Sequence, residues 1–567
     1  MDREAFKSAA HQQWPTLLLG VLLAGAIASP VCAAGFFGDS ATAVNAPLDY
    51  PRQVAAQEIQ LEIEAATTVA KVDHRIFGSN LEWFNEAGGL ASPDAGLRDR
   101  LITLAREQSI SVQRFPGGIL ADYYHWVDGT GPRNTRPVRR HASDSGSSAN
   151  TFGSPEFFEF LRRTGAQGLI TVNAGTGTAE EAAAWVEYAN QPDHARRARD
   201  GFVKPIGIKL WEVGNELYLP GNPHEQKITV TPEVYAERFL RFAEAMRAAD
   251  PSITVVAIGV AKSHIGPDTE FLDWTEKLLK RAADKIDMVA VHNAYFPMLY
   301  KVKQPRVSEV YPALWASPEA VDESLTALGQ LIARHEGKRQ IGIAITEWGA
   351  LFSLPRADPY WVDHVKTLGS GVYIGRMLQV FMSHPRVQMA NYFKFADRSF
   401  MGWVNLHGQP KVPYWVFKLY AQNTGDVRVK SSMSAPQTYS APAIGVMKAQ
   451  SNVPELTSVV TRDSKTGRLY VNLVNRSMSR IYHVRLNLKD FKPAASGEVL
   501  QVSGDEPTAH NGRDIPPEWP FREEYEPYTR AAPNSIRIQS IVWKKNELLR
   551  IPPFSVVTLV IDGSDSR

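Results

Sequence analysis

The 567-residue sequence contains a single cysteine, Cys32, and its 62 basic residues are nearly balanced by 60 acidic ones. One cysteine excludes a disulfide framework and a zinc site made of several thiolates. A net charge of +2 lacks the basic excess that is typical of nucleic-acid-binding proteins. The sequence also lacks a GxGxxG motif after its first predicted strand, a P-loop, an HExxH motif, an EF-hand loop and a GxSxG elbow. We therefore expect no metal, no cofactor and no nucleic acid partner.

Long apolar runs are also scarce, and the one candidate lies at the N-terminus. Residues 17–27 are apolar, follow a short head with Arg3 and Lys7, and precede several small residues. This pattern is typical of a secretory signal peptide, here residues 1–33. We expect a periplasmic or extracellular protein with no stable membrane association after cleavage. The alternatives are an uncleaved anchor, for which the run is short, and a lipid on Cys32.

A regular alternation of strand and helix patterns follows an extended lead at residues 34–57 and a strand region at residues 58–74. Eight short runs are rich in Val and Ile and are bounded by turn residues, as buried parallel strands are. The predicted strands are residues 75–84, 110–115, 168–175, 208–216, 253–259, 286–295, 340–349 and 387–395.

Helix start signals lie between these strands. Ser154, Thr231 and Ser317 each precede a proline and a glutamate, which favours a helix beginning at that proline. Thr178 and Glu181 have the spacing of a capping box. The helix after Thr231 has apolar residues at helical spacing, which predicts one buried stripe: Tyr235, Phe239, Phe242 and Met246.

Eight strand–helix units in residues 75–425 predict an α/β fold, a (β/α)8 TIM barrel. A doubly wound open sheet is the alternative, but the first strand lacks the glycine-rich turn that such sheets use for dinucleotides. Residues 426–567 change to alternating strands separated by turns, which predicts a C-terminal β-sandwich. The strand region at residues 58–74 is expected to join this sandwich.

Two glutamates stand where a barrel enzyme carries its chemistry. Glu216 ends the fourth predicted strand and Glu347 ends the seventh, and barrel active sites lie at the C-terminal ends of strands. Such a pair can supply a general acid and a nucleophile for glycosidic cleavage. Each glutamate alone is explained as well by an ion pair at a strand end, but Asn215 beside Glu216 makes the joint pattern more specific. Aromatic neighbours are predicted to form a sugar-stacking wall: Trp211, Tyr218 and Trp348.

The chain resembles clan A glycoside hydrolases, and most closely glycoside hydrolase family 51, the α-L-arabinofuranosidases. The resemblance implies a retaining, exo-acting hydrolase that acts on a carbohydrate by double displacement without a catalytic metal. It is compatible with a homo-oligomer. The segments that carry it, in family order, are IFGSNLEW at 76–83, RFPGG at 114–118, YHWVDGTGPRNTRP at 124–137, VNAGTGTAEEAAAWVEYAN at 172–190, KLWEVGNE at 209–216, VHNAY at 291–295, TEWG at 346–349 and IPPFSVVTLVI at 551–561.

The resemblance also implies roles for individual residues. Glu216 would be the acid/base and Glu347 the nucleophile, with Arg114 beside the nucleophile to keep it ionised. Asn215 and Glu82 would bind sugar hydroxyls. His292 and Tyr295 would orient Glu216 and Glu347 respectively or line the sugar subsite, and the remaining expected substrate-binding residues are Trp348 and Lys394.

Two positions depart from the family pattern. The family commonly has Asn directly after RFPGG, where this chain has Ile119, and often has Gln near the position of Lys394. The catalytic residues match while the sugar-contacting ones differ, so the terminal sugar stays open, and Lys394 could bind the carboxylate of a uronic acid or pair with Asp397.

The sequence therefore predicts a secreted α-L-arabinofuranosidase that releases terminal arabinose from plant-type polysaccharides or oligosaccharides. Alternatives within the enzyme class are a β-xylosidase, a β-glucuronidase or an endoglucanase. An alternative outside it is a carbohydrate-binding protein without activity on the same fold.

Overall fold

The computed structural model describes residues 55–92, 96–140, 147–219, 227–261, 273–292, 296–299, 302, 304–353, 361, 364–397, 401–404, 408–511 and 536–564. The predicted signal peptide, Cys32 and most of the extended lead lie outside these ranges. Residues 55–57, which were assigned to the lead, already belong to the first strand. No helix in the described ranges has the length and apolar character needed to cross a bilayer.

Eight parallel strands of the described chain close into a barrel, which confirms the (β/α)8 prediction. Each lies within or close to its predicted range, because short Val- and Ile-rich runs bounded by turns favour buried parallel strands. The strands are β2 (Gly78–Asn80), β3 (Val112–Phe115), β4 (Gln167–Val172), β5 (Leu210–Val213), β6 (Thr254–Ile258), β7 (Met288–Ala290), β8 (Gly342–Trp348) and β9 (Val387–Tyr392).

A longer helix follows each barrel strand in the described chain. These helices are α1 (Asp99–Gln108), α2 (Ser154–Thr164), α3 (Ala179–Asn190), α4 (Pro232–Ala249), α5 (Trp274–Ala282), α6 (Val307–His335), α7 (Leu368–Ser383) and α8 (Val412–Gln422). Thr178 and Thr231 cap α3 and α4 as predicted, each accepting a hydrogen bond from a backbone N–H of the first turn. The apolar stripe of α4 is buried.

Two predicted helix starts differ from the structure. Gly153 rather than Ser154 occupies the N-cap of α2, and the Ser154 hydroxyl instead accepts a hydrogen bond from Trp185 Nε1. Ser317 lies inside α6, which continues through Pro318. A proline removes the N–H that would bond to the carbonyl four residues earlier. The Ser317 hydroxyl donates to that carbonyl, on Leu314, at 2.7 Å, so the helix continues.

The C-terminal strands form a nine-stranded sheet, and its first strand comes from the segment that precedes the barrel. The strands are β1 (Ala55–Lys71), β10 (Val427–Met433), β11 (Leu456–Arg462), β12 (Leu469–Asn475), β13 (Arg480–Lys489), β14 (Ser496–Ser503), β15 (Arg537–Lys544), β16 (Leu549–Ile551) and β17 (Ser555–Ile561). Their order in the sheet is β15-β14-β17-β12-β11-β10-β1-β13-β16.

One hydrophobic core links the two ends of this sheet. Val499 and Trp543 from one end share a buried cluster with Tyr482 and Ile551 from the other. The sheet therefore folds over on itself, as the predicted β-sandwich requires.

A partly buried ion cluster joins the sandwich to the barrel. Glu319 of α6 pairs with Arg376 of α7 at 2.8 Å and with Arg476, beyond β12, at 2.5 Å. Arg476 also donates to the backbone carbonyls of Trp315 and Pro454. Because these groups are paired inside the interface, the two units have a specific relative orientation.

Candidate active site

The barrel interior changes character between two consecutive layers of side chains. The lower layer is an apolar cluster formed by Val112, Leu169, Leu210, Val256, Met288, Ala290, Ala344 and Met389. Alternate residues of a strand point to the same side. Two positions further along six of these strands stand buried polar or charged residues: Arg114, Thr171, Glu212, His292, Thr346 and Asn391. The upper layer is therefore the floor of a site at the C-terminal end of the barrel.

Arg114 is the centre of this polar layer. Its Nε donates to Glu212 Oε2 at 2.6 Å, Nη1 donates to Glu347 Oε1 at 2.8 Å, and Nη2 donates to Asn215 Oδ1 at 2.8 Å. Burial acts to lower the pKa of Arg114, but the carboxylates of Glu212 and Glu347 raise it. The guanidinium thus stays charged and ties β3 to the ends of β5 and β8.

The two sequence-predicted glutamates face each other above Arg114. Both side chains are buried, and oxygens of Glu216 and Glu347 lie within 4.8 Å of one another and of a ring nitrogen of His292. Burial raises the pKa of Glu347, while His292 and Arg114 act to lower it. Gly118 allows this approach, because a Cβ there would lie 2.8 Å from Glu347 Oε1.

A β-bulge turns Glu347 into the barrel. Ile345 pairs with Ala390 and Trp348 pairs with Tyr392, so β8 has one residue more than β9 between these two pairs. Both Thr346 and Glu347 then reach interior partners, Glu212 and Arg114 respectively. Bulges commonly re-aim side chains beside active sites in this way.

The prediction that Trp211 and Trp348 stack on the sugar is wrong. Trp348 is fully buried on the outer side of the barrel, where its ring makes edge contacts with Phe381 and Tyr392. Trp211 likewise packs on Trp185 of α3. Strand alternation places each tryptophan on the side opposite its interior neighbour.

Tyr218 also contributes no sugar-facing ring. It is buried, hydrogen-bonded to Glu216, and its ring edge packs on Trp274. Tyr295 lies outside the described residues.

Sequence reasoning missed Glu212, which is fully buried between Arg114 and two hydroxyl groups. Thr171 donates to Glu212 Oε2 and Thr346 donates to Glu212 Oε1, each at 2.6 Å. Burial acts to raise the pKa of Glu212, but Arg114, His292 and Thr171 hold it at about 2. The signal was present in the spacing, since Glu212 stands two residues after the interior Leu210.

His292 lies between Glu216 and the Thr346 hydroxyl that donates to Glu212. Its Nε2 lies 2.6 Å from Thr346 Oγ1 and its Nδ1 lies 3.3 Å from Glu216 Oε1. Burial acts to lower the pKa of His292, but the carboxylates of Glu347, Glu212 and Glu216 raise it to about 9. The structure thus brings His292 to the glutamate that it was expected to orient.

Lys394 is buried in an ion cluster with two carboxylates. Its Nζ contacts Glu82 and lies 3.4 Å from Asp397 Oδ1. Burial acts to lower the pKa of Lys394, but Asp397 and Glu82 raise it. Burial raises the pKa of Glu82 to about 7, although Lys394 acts to lower it. Ile119, the second departure from the family pattern, packs in the main hydrophobic core.

Asp122 is a further residue that sequence reasoning missed. Its carboxylate accepts hydrogen bonds from the backbone N–H groups of Asn215 at 2.9 Å and Ala174 at 3.1 Å. Burial raises the pKa of Asp122 to about 7, although these N–H groups act to lower it. Asp122 therefore connects the loop after RFPGG to the segment that carries Asn215 and Glu216.

Glu216, His292 and Glu347 have the spacing at which three side chains can surround a cation. Hydrogen bonds already engage side-chain atoms that would bind the cation. Arg114 already donates to Glu347, and both ring nitrogens of His292 are engaged.

Comparison with known proteins finds similar sequences among arabinofuranosidases. A family model described as the alpha-L-arabinofuranosidase 1 domain matches residues 105–295. An exo-alpha-(1->6)-L-arabinofuranosidase of Bifidobacterium longum is 29% identical over 491 residues, covering 80% of this chain and 90% of that protein. An intracellular exo-alpha-(1->5)-L-arabinofuranosidase of the same organism is 25% identical over 500 residues, covering 80% and 85% respectively.

A similar fold is found in the crystal structure of the Thermotoga maritima alpha-L-arabinofuranosidase in its arabinose complex. That structure superposes with a TM-score of 0.72 at 22% identity, covering 89% of this chain and 100% of the other. The family model and the sequence relatives, together with this fold, identify the protein as a glycoside hydrolase. Its sequence and fold resemble those of glycoside hydrolase family 51.

The predicted periplasmic or extracellular location is contradicted by these relatives. The alpha-(1->5) enzyme of Bifidobacterium longum is named as intracellular, as are relatives from Streptomyces lividans and Halalkalibacterium halodurans. The prediction depended on residues 1–33, which lie outside the described chain. An apolar run followed by small residues is too common a pattern to establish export alone.

Proposed function

We propose that the protein is an exo-acting α-L-arabinofuranosidase that retains the anomeric configuration, with Glu347 as nucleophile and Glu216 as acid/base. The observation that carries the reaction class is the approach of the two carboxylates to within 4.8 Å between oxygens. Retaining glycosidases have carboxyl groups about 5–5.5 Å apart, whereas inverting enzymes leave about 6.5–9.5 Å for a water molecule. The short separation favours a covalent glycosyl-enzyme intermediate.

The surroundings of the two glutamates support different roles. Arg114 donates directly to Glu347 and favours its charged form, which a nucleophile needs. Glu216 is hydrogen-bonded to Tyr218 and lies beside His292, both of which can carry a proton. An acid/base residue must give up a proton in one step and take one in the next, so this environment suits Glu216.

The charge balance favours a neutral sugar over a uronic acid. Lys394, the one feature that pointed to a uronate, is already paired with Glu82 and Asp397. A substrate carboxylate would therefore enter beside two buried carboxyl groups. The names of the similar enzymes then favour arabinofuranose among neutral sugars.

The test is hydrolysis of aryl glycosides by the full chain. We expect cleavage of 4-nitrophenyl α-L-arabinofuranoside and little cleavage of the β-D-xyloside, the β-D-glucuronide or cello-oligosaccharides. Glu347→Ala, purified in the same way, reports any contaminating hydrolase. Proton NMR at early times should show the product sugar first as its α-anomer.

Each contrary outcome has a definite meaning. A β-anomer as first product would exclude retention, and preference for the glucuronide would show that Lys394 is available to substrate. Binding of arabino-oligosaccharides without hydrolysis of any of these compounds would favour a carbohydrate-binding protein.

A further inference from the structure

We propose that Glu212 is a positioning residue that acts through Thr346 to hold a proton on Nε2 of His292, so that Nδ1 of this ring shares the catalytic proton with Glu216. This inference rests on the proposed acid/base role of Glu216. It concerns a carboxylate that never reaches the substrate, because Glu212 lies one layer below the site and is fully buried.

Glu212 only accepts hydrogen bonds. Its two oxygens accept from Arg114, Thr171 and Thr346, each at 2.6 Å. A guanidinium has no lone pair to accept a proton, so the carboxylate opposite Arg114 is ionised. The depressed pKa of Glu212, about 2, agrees with this assignment.

The Thr346 hydroxyl has a single proton to donate. That proton is donated to Glu212 Oε1 because an ionised carboxylate cannot donate. The hydroxyl can then only accept from His292 Nε2, which lies 2.6 Å away. Nε2 therefore carries a hydrogen, and this hydrogen stays in place while the acid/base residue changes its protonation state.

The other ring nitrogen of His292, Nδ1, faces Glu216. With Nε2 fixed as a donor, Nδ1 either accepts from a protonated Glu216 or donates to its carboxylate, at 3.3 Å. One proton thus serves both groups. Glu216 gives this shared proton to the departing oxygen, and its carboxylate then takes a proton from the attacking water in the second reaction step, which restores the starting state.

Other charged groups face the same pair, and they define what the test must separate. Glu347 and Arg114 lie on one side, Tyr218 is hydrogen-bonded to Glu216, and Glu212 Oε1 itself is 3.9 Å from His292 Nε2. A purely structural role for Glu212, neutralising Arg114, would not depend on the path through Thr346.

Two threonines supply a matched pair of variants. Thr171 and Thr346 both donate to Glu212 at the same distance, but Thr346 alone also contacts His292 among the described contacts of the two hydroxyls. Thr171→Val removes a hydrogen bond from Glu212 and leaves the path intact. Thr346→Val interrupts the path, and Thr346→Ser restores the hydroxyl.

The experiment measures kcat/KM against pH on an alkyl arabinofuranoside, whose poor leaving group must be protonated. Without the Thr346 hydroxyl as acceptor for Nε2–H, the imidazolium of His292 is less stable. The His292–Glu216 pair then loses its shared proton at lower pH. Thr346→Val should move the alkaline limb down by about one pH unit, the size expected for one hydrogen bond to a charged group. Thr346→Ser and Thr171→Val should keep the wild-type limb. On a 2,4-dinitrophenyl glycoside, which needs no protonation, the limb of Thr346→Val should match the wild type.

An unmoved alkaline limb in Thr346→Val would overturn the proposal, and so would an equal movement in Thr171→Val. If the wild type hydrolyses no glycoside, the proposed function fails, and ¹⁵N NMR of labelled histidine tests the inference separately. His292, assigned by its disappearance in His292→Asn, should show a protonated Nε2 in wild type and Thr171→Val and lose this preference in Thr346→Val. A ring with a deprotonated Nε2 in the wild type would also overturn it.

Discussion

The two interior layers of the barrel are built from the same strands, two residues apart, and yet they are held together by opposite physics. In the lower layer, Val112, Leu210 and Ala344 are stabilised by removing apolar surface from water. In the upper layer, the residues two positions later are Arg114, Glu212 and Thr346, and burying them costs free energy that only mutual pairing offsets.

This contrast shows which part of the barrel is specialised for chemistry. A buried ionic network is often no more stabilising than an apolar core of similar volume. The upper layer therefore contributes an arrangement of charge that the lower layer cannot, namely a fixed cation beneath Glu347 and an imidazole beside Glu216. We expect the loss of a charged group from the upper layer to affect activity and pH dependence, and substitutions in the lower layer to affect stability alone.

The largest effect should come from removing the nucleophile above the polar layer. Glu347→Ala should lower kcat on the order of 10⁴-fold or more, because no glycosyl-enzyme intermediate can form. Glu216→Ala should act selectively, since a dinitrophenolate leaves without protonation and the intermediate then accumulates after a burst. Stopped-flow release of the phenolate measures both effects.

Added azide distinguishes the two roles. In Glu216→Ala azide needs no deprotonation, so it should restore turnover and give a glycosyl azide of retained configuration. In Glu347→Ala it should attack from the vacated side and give the inverted product. Retained product from Glu347→Ala would require the two assignments to be exchanged.

The next effect concerns the cation of the polar layer. Arg114→Met should lower the free energy of unfolding by about 3–5 kcal/mol, because Glu212 and Glu347 lose a buried partner. Adding Glu212→Gln should recover part of this loss by removing one unpaired charge. Urea denaturation measures both variants, and a loss below about 1 kcal/mol would show that water or another group replaces the guanidinium.

The polar layer should also show itself in the pH dependence of stability. The pKa of Glu212 falls from 4.5 to about 2 on folding, so its stabilisation is complete above pH 4.5 and is lost as the pH falls toward 2. This amounts to about 3 kcal/mol at neutral pH. The pH-dependent part of the difference in unfolding free energy between wild type and Glu212→Gln should shrink below pH 4.5. A constant difference would mean that folding does not lower the pKa of Glu212.

The smallest effect belongs to the apolar layer. Val256→Ala should cost about 1–2 kcal/mol of unfolding free energy, from lost apolar burial and a small cavity. The residue two positions later on this strand is Ile258 rather than a charged group, so kcat/KM and its pH profile should stay at the wild-type values. A shifted pH profile in this variant would break the separation between the two layers.

Much of the fold and the centre of the site could be predicted because they depend on local patterns. Short Val- and Ile-rich runs between turn residues located all eight barrel strands, and strand-end position together with Asn215 identified Glu216 and Glu347. The resemblance in RFPGG placed Arg114 beside Glu347. Helix starts were less predictable, since the Ser317 hydroxyl replaces a bond lost at Pro318 and no sequence pattern indicated that.

By itself, the sequence determined the order of strands and helices and the two glutamates, because turn signals, apolar runs and strand-end positions are properties of neighbouring residues. Only the tertiary structure decided what faces the interior: one extra residue in β8 brings both Thr346 and Glu347 inward and leaves Trp348 outside. It also paired Lys394 with Glu82 and Asp397, and Glu212 with Arg114. These contacts join residues from different strands, and which strand pairs in which register depends on closing the whole barrel.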